Sequence, residues 1–378
     1  MVARKNEAVE VPLSKCLRDG DALSRQGGDE FLVVLNGIYD TASITAVAEK
    51  ILELMAEPFE IDHHELVISL SIGIAVYPDD GKDFDTLLKQ SDTAMYQSKD
   101  SGRNTYRFHT GQMDTDAVEH LRMRGGLRRA LEHGEFALYY QPQISLVNGA
   151  VIGVEALIRW NHPELGMVSP DRFISIAEDS GLIVPMGDWV LREACQQAVA
   201  WRKAGAPEML VAVNLSAVQF KRGEVEESVS QALQESGLNP ALLELELTES
   251  ILIKDTEKML STVRRLKALG VKLSIDDFGT GYSSLSYLKR FNVDKLKIDR
   301  SFVHDMVDDP SDAAIVGVII QMAKSLGLST TAEGVEDERQ LGMLRRQDCD
   351  EAQGYHLARP MPANEFTGFM SRWYSPVK

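Results

Sequence analysis

Short apolar runs alternate with amphipathic stretches through most of the chain. After residue 135 the runs fall at 136–144, 150–158, 209–215, 243–247, 271–275, 295–298, 328–332 and 350–355. Each is short, largely aliphatic and bounded by turn formers, which reads as a strand. Between them, apolar residues recur at helical spacing in 170–180, 188–204, 224–236, 256–269, 283–291, 313–326 and 338–346. In 188–204 this places Trp189, Leu191, Ala194, Cys195, Ala198 and Trp201 on or near one side. Repeated βα units over such a length predict an α/β fold, a (β/α)8 TIM-like barrel of roughly 250 residues. The first two runs meet at an Asn148-Gly149 turn, so one strand is expected to be antiparallel.

The first part of the chain has a different order. Strands at 31–35, 58–61, 66–77 and 105–108 alternate with helices at 40–57 and 84–98. That is β-α-β-β-α-β, an α+β pattern. Gly27-Gly28-Asp29-Glu30 marks a tight turn entering the first strand. His63 and His64 sit at a turn between two strands and read as solvent-facing residues, not ligands. A charged segment at 113–134 carries Leu121, Met123, Leu127, Ala130 and Leu131 on one helical face. Gly125-Gly126 weakens that helix, since each glycine costs about 1 kcal/mol relative to alanine. The expected division is a partial domain at 1–112, a connector helix at 113–134 and a second domain at 135–378.

Composition narrows the class. At 378 residues the chain has room for two domains of ordinary size. The longest apolar run, 313–320, is far too short to span a bilayer. The first eleven residues lack the apolar core of a signal peptide. Cys16, Cys195 and Cys349 are widely spaced and suggest neither a disulfide framework nor a zinc ribbon, so a reducing cytoplasm fits best. Net charge is −17. The first 112 residues carry 11 Lys and Arg against 19 Asp and Glu, and the remainder 29 against 38. This general acidity disfavours DNA, RNA and anionic membranes as partners. A small anionic ligand would need metals or a few placed cations.

The run at 271–275 ends in Asp276 and Asp277, followed by Phe278 and a turn containing Gly279 and Gly281. Two adjacent carboxylates at the end of a buried strand repel and resist desolvation. A lone pair of this kind is ordinarily a solvated strand end. The other strand ends change the picture: they carry Glu155, Asn214, Glu246, Lys297 with Asp299, Glu333 with Glu336, and Gln353. In a barrel these ends meet on one rim, where active sites sit. Carboxylate and amide oxygens, without Cys or His, suit Mg2+ or Mn2+ over Zn2+. Two metals could share Asp276 and activate a bridging water for in-line attack on phosphorus. Lys297 would offset charge on the phosphoryl oxygens or hold the water, and Glu333 would position or deprotonate it. Without such a cluster, Lys297 would pair with Asp299 or Asp294.

YYQPQISL, EALIRW, FISIAEDSGLI, VNLSAVQF, ELTES, DDFGTGYSSL, KLKIDRSFV, TAEGVE and QGYHLARP follow one another in that order. Together they resemble an EAL domain, a phosphodiesterase that opens cyclic di-GMP to linear 5'-pGpG, over nearly all of 113–378. The resemblance implies that Glu155, Asn214, Glu246, Asp276 and Asp277 are metal ligands. It implies that Lys297, Glu333, Glu336 and Gln353 complete the catalytic set. Arg159 would contact the phosphate and Leu157 the base, with Gln141 and Pro142 lining the pocket. Glu249 would hold the loop Phe278, Gly279, Thr280, Gly281 and Tyr282, which lies near a homodimer contact in the family. Ca2+, larger and looser in geometry, is expected to inhibit. The alternative is a catalytically silent cyclic di-GMP receptor signalling through the connector; such relatives lack some acidic ligands, and none is missing here.

RQGGDEFLVVL, SIGIAVYP and SDTAMYQSKDSGRN are similar to the C-terminal half of a GGDEF (diguanylate cyclase) domain. The resemblance would set Gly27 and Gly28 against a guanine nucleotide such as GTP, and Asp29 and Glu30 with metal and phosphate. Arg18 and Asp21 form an R-x-x-D like the family's product-binding inhibitory site, a place for cyclic di-GMP. Lys99 and Arg103 match basic positions. The strand, metal-ligating Asp and nucleotide-binding Asn that open such domains are not found before Arg18. No cyclase activity is therefore expected, and the missing strand would expose a sheet edge. The module is either a vestigial structural or nucleotide-sensing part or a shortened copy of a longer one.

Overall fold

The computed structural model describes residues 12–14, 16–18, 20–38, 40–56, 59–61, 64–66, 69–100, 102, 104–222, 225–249, 256–279, 288 and 290–374. Thr280, Gly281, Tyr282, His63, Arg103 and most of the helix expected at 283–291 lie outside the described residues. Two compact units divide the chain, Met1–Arg122 and Met123–Lys378.

In the second unit eight strands close into a barrel: β1 (Phe136–Ser145), β2 (Val151–His162), β3 (Leu210–Leu215), β4 (Leu243–Thr248), β5 (Lys272–Phe278), β6 (Lys295–Ile298), β7 (Ser329–Ala332) and β8 (Glu351–Ala352). They pair in chain order, and β8 returns to β1. β1 is antiparallel to both neighbours, while β2 to β8 run parallel. Asn148 makes the reversal between β1 and β2 by accepting from the Ala150 amide at 3.0 Å. Successive side chains alternate faces. Leu243, Leu245 and Leu247, with Leu273, Ile275, Leu296 and Ile298, are fully buried in the main apolar core, which includes the surrounding helices. The residues between them point into the barrel.

Two aspartates fix how strands begin. Asp294, just before β6, accepts from the Leu273 amide at 2.8 Å and from Lys267 Nζ at 2.7 Å. Asp350, just before β8, accepts from the Thr330 amide at 2.9 Å. Helices stand at Pro170–Ser180, Ile183–Lys203, Val225–Ser236, Thr256–Ala268, Pro310–Ser325 and Glu338–Arg346, close to the expected stretches. Unforeseen are the strands Gly166–Val168 and Met361–Pro362 and the helices Ala217–Arg222, Arg300–Asp305 and Ala363–Trp373. They are too short, or too mixed in polarity, for periodicity to mark them. All three cysteines are free and buried. No helix of the described residues is long and apolar enough to cross a membrane.

The connector forms one helix, Gly111–His133, unbroken at Gly125-Gly126. Packing explains the second glycine. A Cβ on Gly126 would stand 3.0 Å from the Trp160 ring. Met123, Leu127 and Ala130 of this helix are buried with Phe136, Trp160 and Phe173. Trp160 Nε1 donates to Glu135 at 3.0 Å. Gly125 has no such neighbour: among the described residues a Cβ there would meet nothing within 4 Å.

The first unit contains an antiparallel hairpin, Ala22–Gly27 with Glu30–Val34, turning at Gly28-Asp29. Its first strand, ALSRQG, has too few apolar residues to announce itself. The helices Thr41–Ala56 and Phe84–Asp100 fall where expected. The long strand expected at 66–77 is instead two pieces: His64–Leu66 pairs with Phe59–Ile61, and Ser71–Ile74 pairs in parallel with Thr105–Phe108.

Gly125→Ala should stabilise the second unit by up to about 1 kcal/mol through helix propensity alone. Gly126→Leu should destabilise it by about 1–3 kcal/mol through overpacking against Trp160. Urea unfolding of the two variants checks both signs.

Candidate active site

Because neighbours on a strand face opposite ways, Asp276 and Asp277 cannot both enter the barrel mouth from a regular strand. β5 is irregular there. Its register against β6 jumps between Ile275 and Phe278. Asp277 takes φ of 54°, in the left-handed region that non-glycine residues rarely adopt. Bulges and such backbone strain cluster next to functional sites, where they re-aim side chains. The outcome here is that carboxylate oxygens of Asp276, Asp277 and Glu333 lie within 4.8 Å of one another.

Lys297 stands at the centre, fully buried. Its ammonium lies 2.6 Å from Glu333, 2.7 Å from Glu246, 3.1 Å from Asp276 and 3.7 Å from Glu155. Burial alone would lower its pKa, but Asp276, Glu155, Glu246 and Glu333 outweigh burial and raise it. The simpler pairings are taken elsewhere. Asp294 holds Lys267, and Asp299 caps the helix Arg300–Asp305 by accepting from the Ser301 amide at 2.9 Å.

The remaining groups are arranged around this ion. Asn214, exposed at the rim, donates to Glu155 Oε1 at 2.6 Å, and Gln353 donates to Glu155 Oε2 at 2.5 Å. Gln353 also donates to Gln141, whose own amide reaches the Ala358 carbonyl at 3.1 Å. Gly354 permits this placement: a Cβ on it would sit 2.2 Å from the Val335 backbone, which bonds the Gln353 carbonyl. Burial pushes Glu155 up, but Lys297 and the two amides more than reverse it. Burial, then the Glu155 charge, raises Glu246 well above the usual carboxylate range. Burial pushes Glu333 up to about 8 against the pull of Lys297. Burial and then Asp276 push Asp277 up to about 6.

Other expected residues take separate places. Leu157 and Arg159 are half-buried further along β2, with the Arg159 guanidinium 5.4 Å over the Tyr139 ring. Pro142 is buried opposite Val154. Glu249 is buried and accepts from the Gly279 amide at 2.9 Å, beside buried Phe278. Glu336 does not join the cluster; it is exposed and pairs with His304 at 3.7 Å. In the first unit Asp29 and Glu30 are exposed at the hairpin turn. Asp21 accepts from the Arg18 amide at 2.9 Å and the Asn36 amide at 3.0 Å, so its carboxylate fastens backbone. Lys99 lies in the helix Phe84–Asp100.

The donor set fits hard divalent cations. Glu155, Glu246, Asp276, Asp277 and Glu333 face one ammonium, a formal excess of four negative charges. Glu246 Oε1 is buried without a hydrogen-bond partner among the described residues. All donors are oxygen, as Mg2+ and Mn2+ prefer. Sequence inspection missed a second charged layer beneath this one, Glu244, Lys295 and Glu351. The signal was present, since each precedes a rim residue by two and shares its face of the strand.

Residues 124–360 match the family model of the EAL domain. The chain belongs to the EAL-domain family. Residues 7–105 match the model of the diguanylate cyclase GGDEF domain. The bifunctional diguanylate cyclase/cyclic di-GMP phosphodiesterase MucR of Pseudomonas aeruginosa is 45% identical over 349 residues, covering 92% of this chain and 51% of MucR. The cyclic di-GMP phosphodiesterase PdeR of Escherichia coli is 40% identical over 366 residues, covering 97% of this chain and 54% of PdeR. The chain thus spans about half the length of these curated relatives. A solved PaMucR phosphodiesterase in complex with c-di-GMP matches this EAL protein with a TM-score of 0.63 at 47% identity, over 65% of this chain and 99% of that one. The EAL domain of Mycobacterium smegmatis DcpA matches with a TM-score of 0.55 at 37% identity, over 64% and 99% respectively.

Lys297→Met would leave buried carboxylates without their counter-charge. Unfolding free energy in a chelator should fall by about 3–5 kcal/mol, read from urea unfolding curves of wild type and variant.

Proposed function

We propose that this EAL protein hydrolyses one phosphodiester bond of cyclic di-GMP, giving linear 5'-pGpG, with divalent metal. The proposal rests above all on the carboxylates gathered around Lys297 at the barrel rim. PdeR is named as a cyclic di-GMP phosphodiesterase and MucR as a bifunctional diguanylate cyclase/cyclic di-GMP phosphodiesterase, and the PaMucR phosphodiesterase was solved with c-di-GMP. Those names supply the substrate class.

Glu155, Asn214, Glu246, Asp276 and Asp277 would hold two cations, Mg2+ or Mn2+. Bound there, the cations supply Lewis acidity toward the phosphoryl group and a water activated at neutral pH. Lys297 keeps its proton among the carboxylates and donates toward a phosphoryl oxygen or the water. Glu333, 2.6 Å from the Lys297 ammonium, is placed to accept the proton of the attacking water. Water adds at phosphorus, the P–O bond to the ribose 3'-oxygen breaks, and that oxygen leaves as a hydroxyl, taking up the proton equivalent that Glu333 removed from the water. The phosphate stays on the 5'-oxygen. Gln353 fixes one oxygen of Glu155 and Asn214 the other. Glu336 is assigned to this set by family resemblance alone. Arg159 meets a ligand phosphate, Leu157 a base, and Gln141 and Pro142 line the pocket.

The hydrogen bond from the Gly279 amide to Glu249 supports Glu249 as the latch of the chain leaving β5, and the protein acts as a homodimer. The GGDEF unit serves as a structural or regulatory module binding GTP or cyclic di-GMP. The cytoplasm is the proposed location.

Incubation of the chain with cyclic di-GMP and Mg2+ or Mn2+ should yield pGpG by chromatography, and Ca2+ should suppress it. Glu155→Ala and Asp276→Ala should abolish product, and a wild-type rate in either would defeat the metal assignment. Glu249→Ala should lower turnover about tenfold with Mn2+ binding retained; unchanged turnover would leave the loop a plain connection.

A further inference from the structure

A second buried ionic layer lies one step deeper in the barrel. Lys295 Nζ stands 2.8 Å from Glu351 and 3.0 Å from Glu244. Thr331 Oγ1 donates to the same Glu351 oxygen at 2.6 Å. Lys295 is 2% exposed and Glu244 1%. Barrel interiors are ordinarily filled by Val, Ile and Leu. A buried ion pair is weak support for stability, and apolar replacements of similar volume are often neutral or stabilising. The layer is also poorly satisfied. Gln143 Oε1 and Nε2, Ser274 Oγ and Glu244 Oε1 are buried with no hydrogen-bond partner among the described residues. Each such atom costs about 1–3 kcal/mol. Stability alone does not account for these residues.

Their placement does. Glu244, Lys295 and Glu351 each precede a rim residue by two positions, namely Glu246, Lys297 and Gln353. They come from β4, β6 and β8, alternate strands of the ring. Lys295 on β6 therefore reaches two strands to either side. β8 is only two residues long and offers few ladder bonds. It nevertheless delivers Gln353, whose amide holds both Glu155 and Gln141. Side-chain anchoring by Lys295 and Thr331 compensates for that short strand.

We propose that Lys295, with Glu244 and Glu351, is a positioning layer that sets the height of β4 and β8 under the rim, and so the placement of Glu246 and Gln353 for metal binding and turnover. The proposal rests on the assignment of the rim as a metal centre. Outer groups that orient ligands typically change metal affinity or activity about 10–100-fold when removed.

Two variants test it. Glu244→Leu/Lys295→Met/Glu351→Leu replaces the whole layer with apolar side chains. Glu351→Gln keeps the size and the Lys295–Glu244 pair, and stays folded if the triple variant does not. Mn2+ affinity is read by electron paramagnetic resonance titration, folding by thermal melting, and turnover as pGpG release. The expected result is a triple variant that melts at or above the wild-type temperature. Its Mn2+ affinity and kcat should be about tenfold or more lower, with KM for cyclic di-GMP little changed. Glu351→Gln should shift both in the same direction. Wild-type Mn2+ affinity in either folded variant overturns the proposal. Wild-type protein that binds Mn2+ but makes no pGpG would defeat the proposed function instead, leaving the Mn2+ comparison to decide this one.

Discussion

Lys297 is fully buried within 3.7 Å of four carboxylates, and neither side of that contact can be removed alone. The ammonium needs the carboxylates to stay charged out of water, and the carboxylates need the ammonium to stay close together. One positive charge against five carboxylates leaves the cluster unfinished. On the proposed function that incompleteness is what would draw a cation: a fully neutralised network would hold its shape but have no demand for one. The surrounding amides finish the orientation without finishing the charge. Asn214 and Gln353 together use both oxygens of Glu155, and Lys297 takes one oxygen of Glu246 and leaves the other bare.

The same demand shapes the strands. LELELT and KLKI alternate apolar with charged residues. In most sheets that pattern marks one face on the core and one in water, whereas parallel strands covered on both faces read as continuous apolar runs. Here the leucines face the helices, and the charged residues face inward. The barrel is therefore built inside out relative to the usual apolar interior, with its apolar contacts in the outer shell and its polarity at the axis. Period-two alternation puts Glu244 and Lys295 on the same inward face as Glu246 and Lys297, one step deeper along that axis.

This also sets which features could be read from the chain. The rim was legible because each polar residue ends an apolar run, a local signal at Glu155, Glu246, Asp276 and Gln353. The antiparallel β1 was legible from Asn148-Gly149. Asp277 was legible as a residue but not as a geometry, because its φ of 54° answers to the register of β6, which no local pattern encodes. Gly126 looked like a break in a helix. It is a contact instead, and the ring it accommodates, Trp160, comes from a distant strand. The bond from Gln353 to Gln141 joins positions 212 apart in sequence, beyond any spacing rule. The polar strand Ala22–Gly27 was missed because hydrophobic periodicity detects burial, and most of that strand is exposed.

Strain at Asp277, two buried lysines and unsatisfied groups such as Ser274 Oγ all lower the stability this barrel could otherwise reach. The outer shell offsets them. Leu243, Leu245, Leu273, Ile275, Leu296 and Ile298 are fully buried, each contributing about 1.5–3 kcal/mol relative to exposure. A carboxylate cluster on a soft scaffold would relax apart under its own repulsion. On strands clamped from outside by apolar packing and from beneath by Lys295, it cannot, and the repulsion would remain available to attract the proposed cations. The apolar exterior of the barrel and its acidic interior are thus one design: the first holds in place what the second would otherwise push apart.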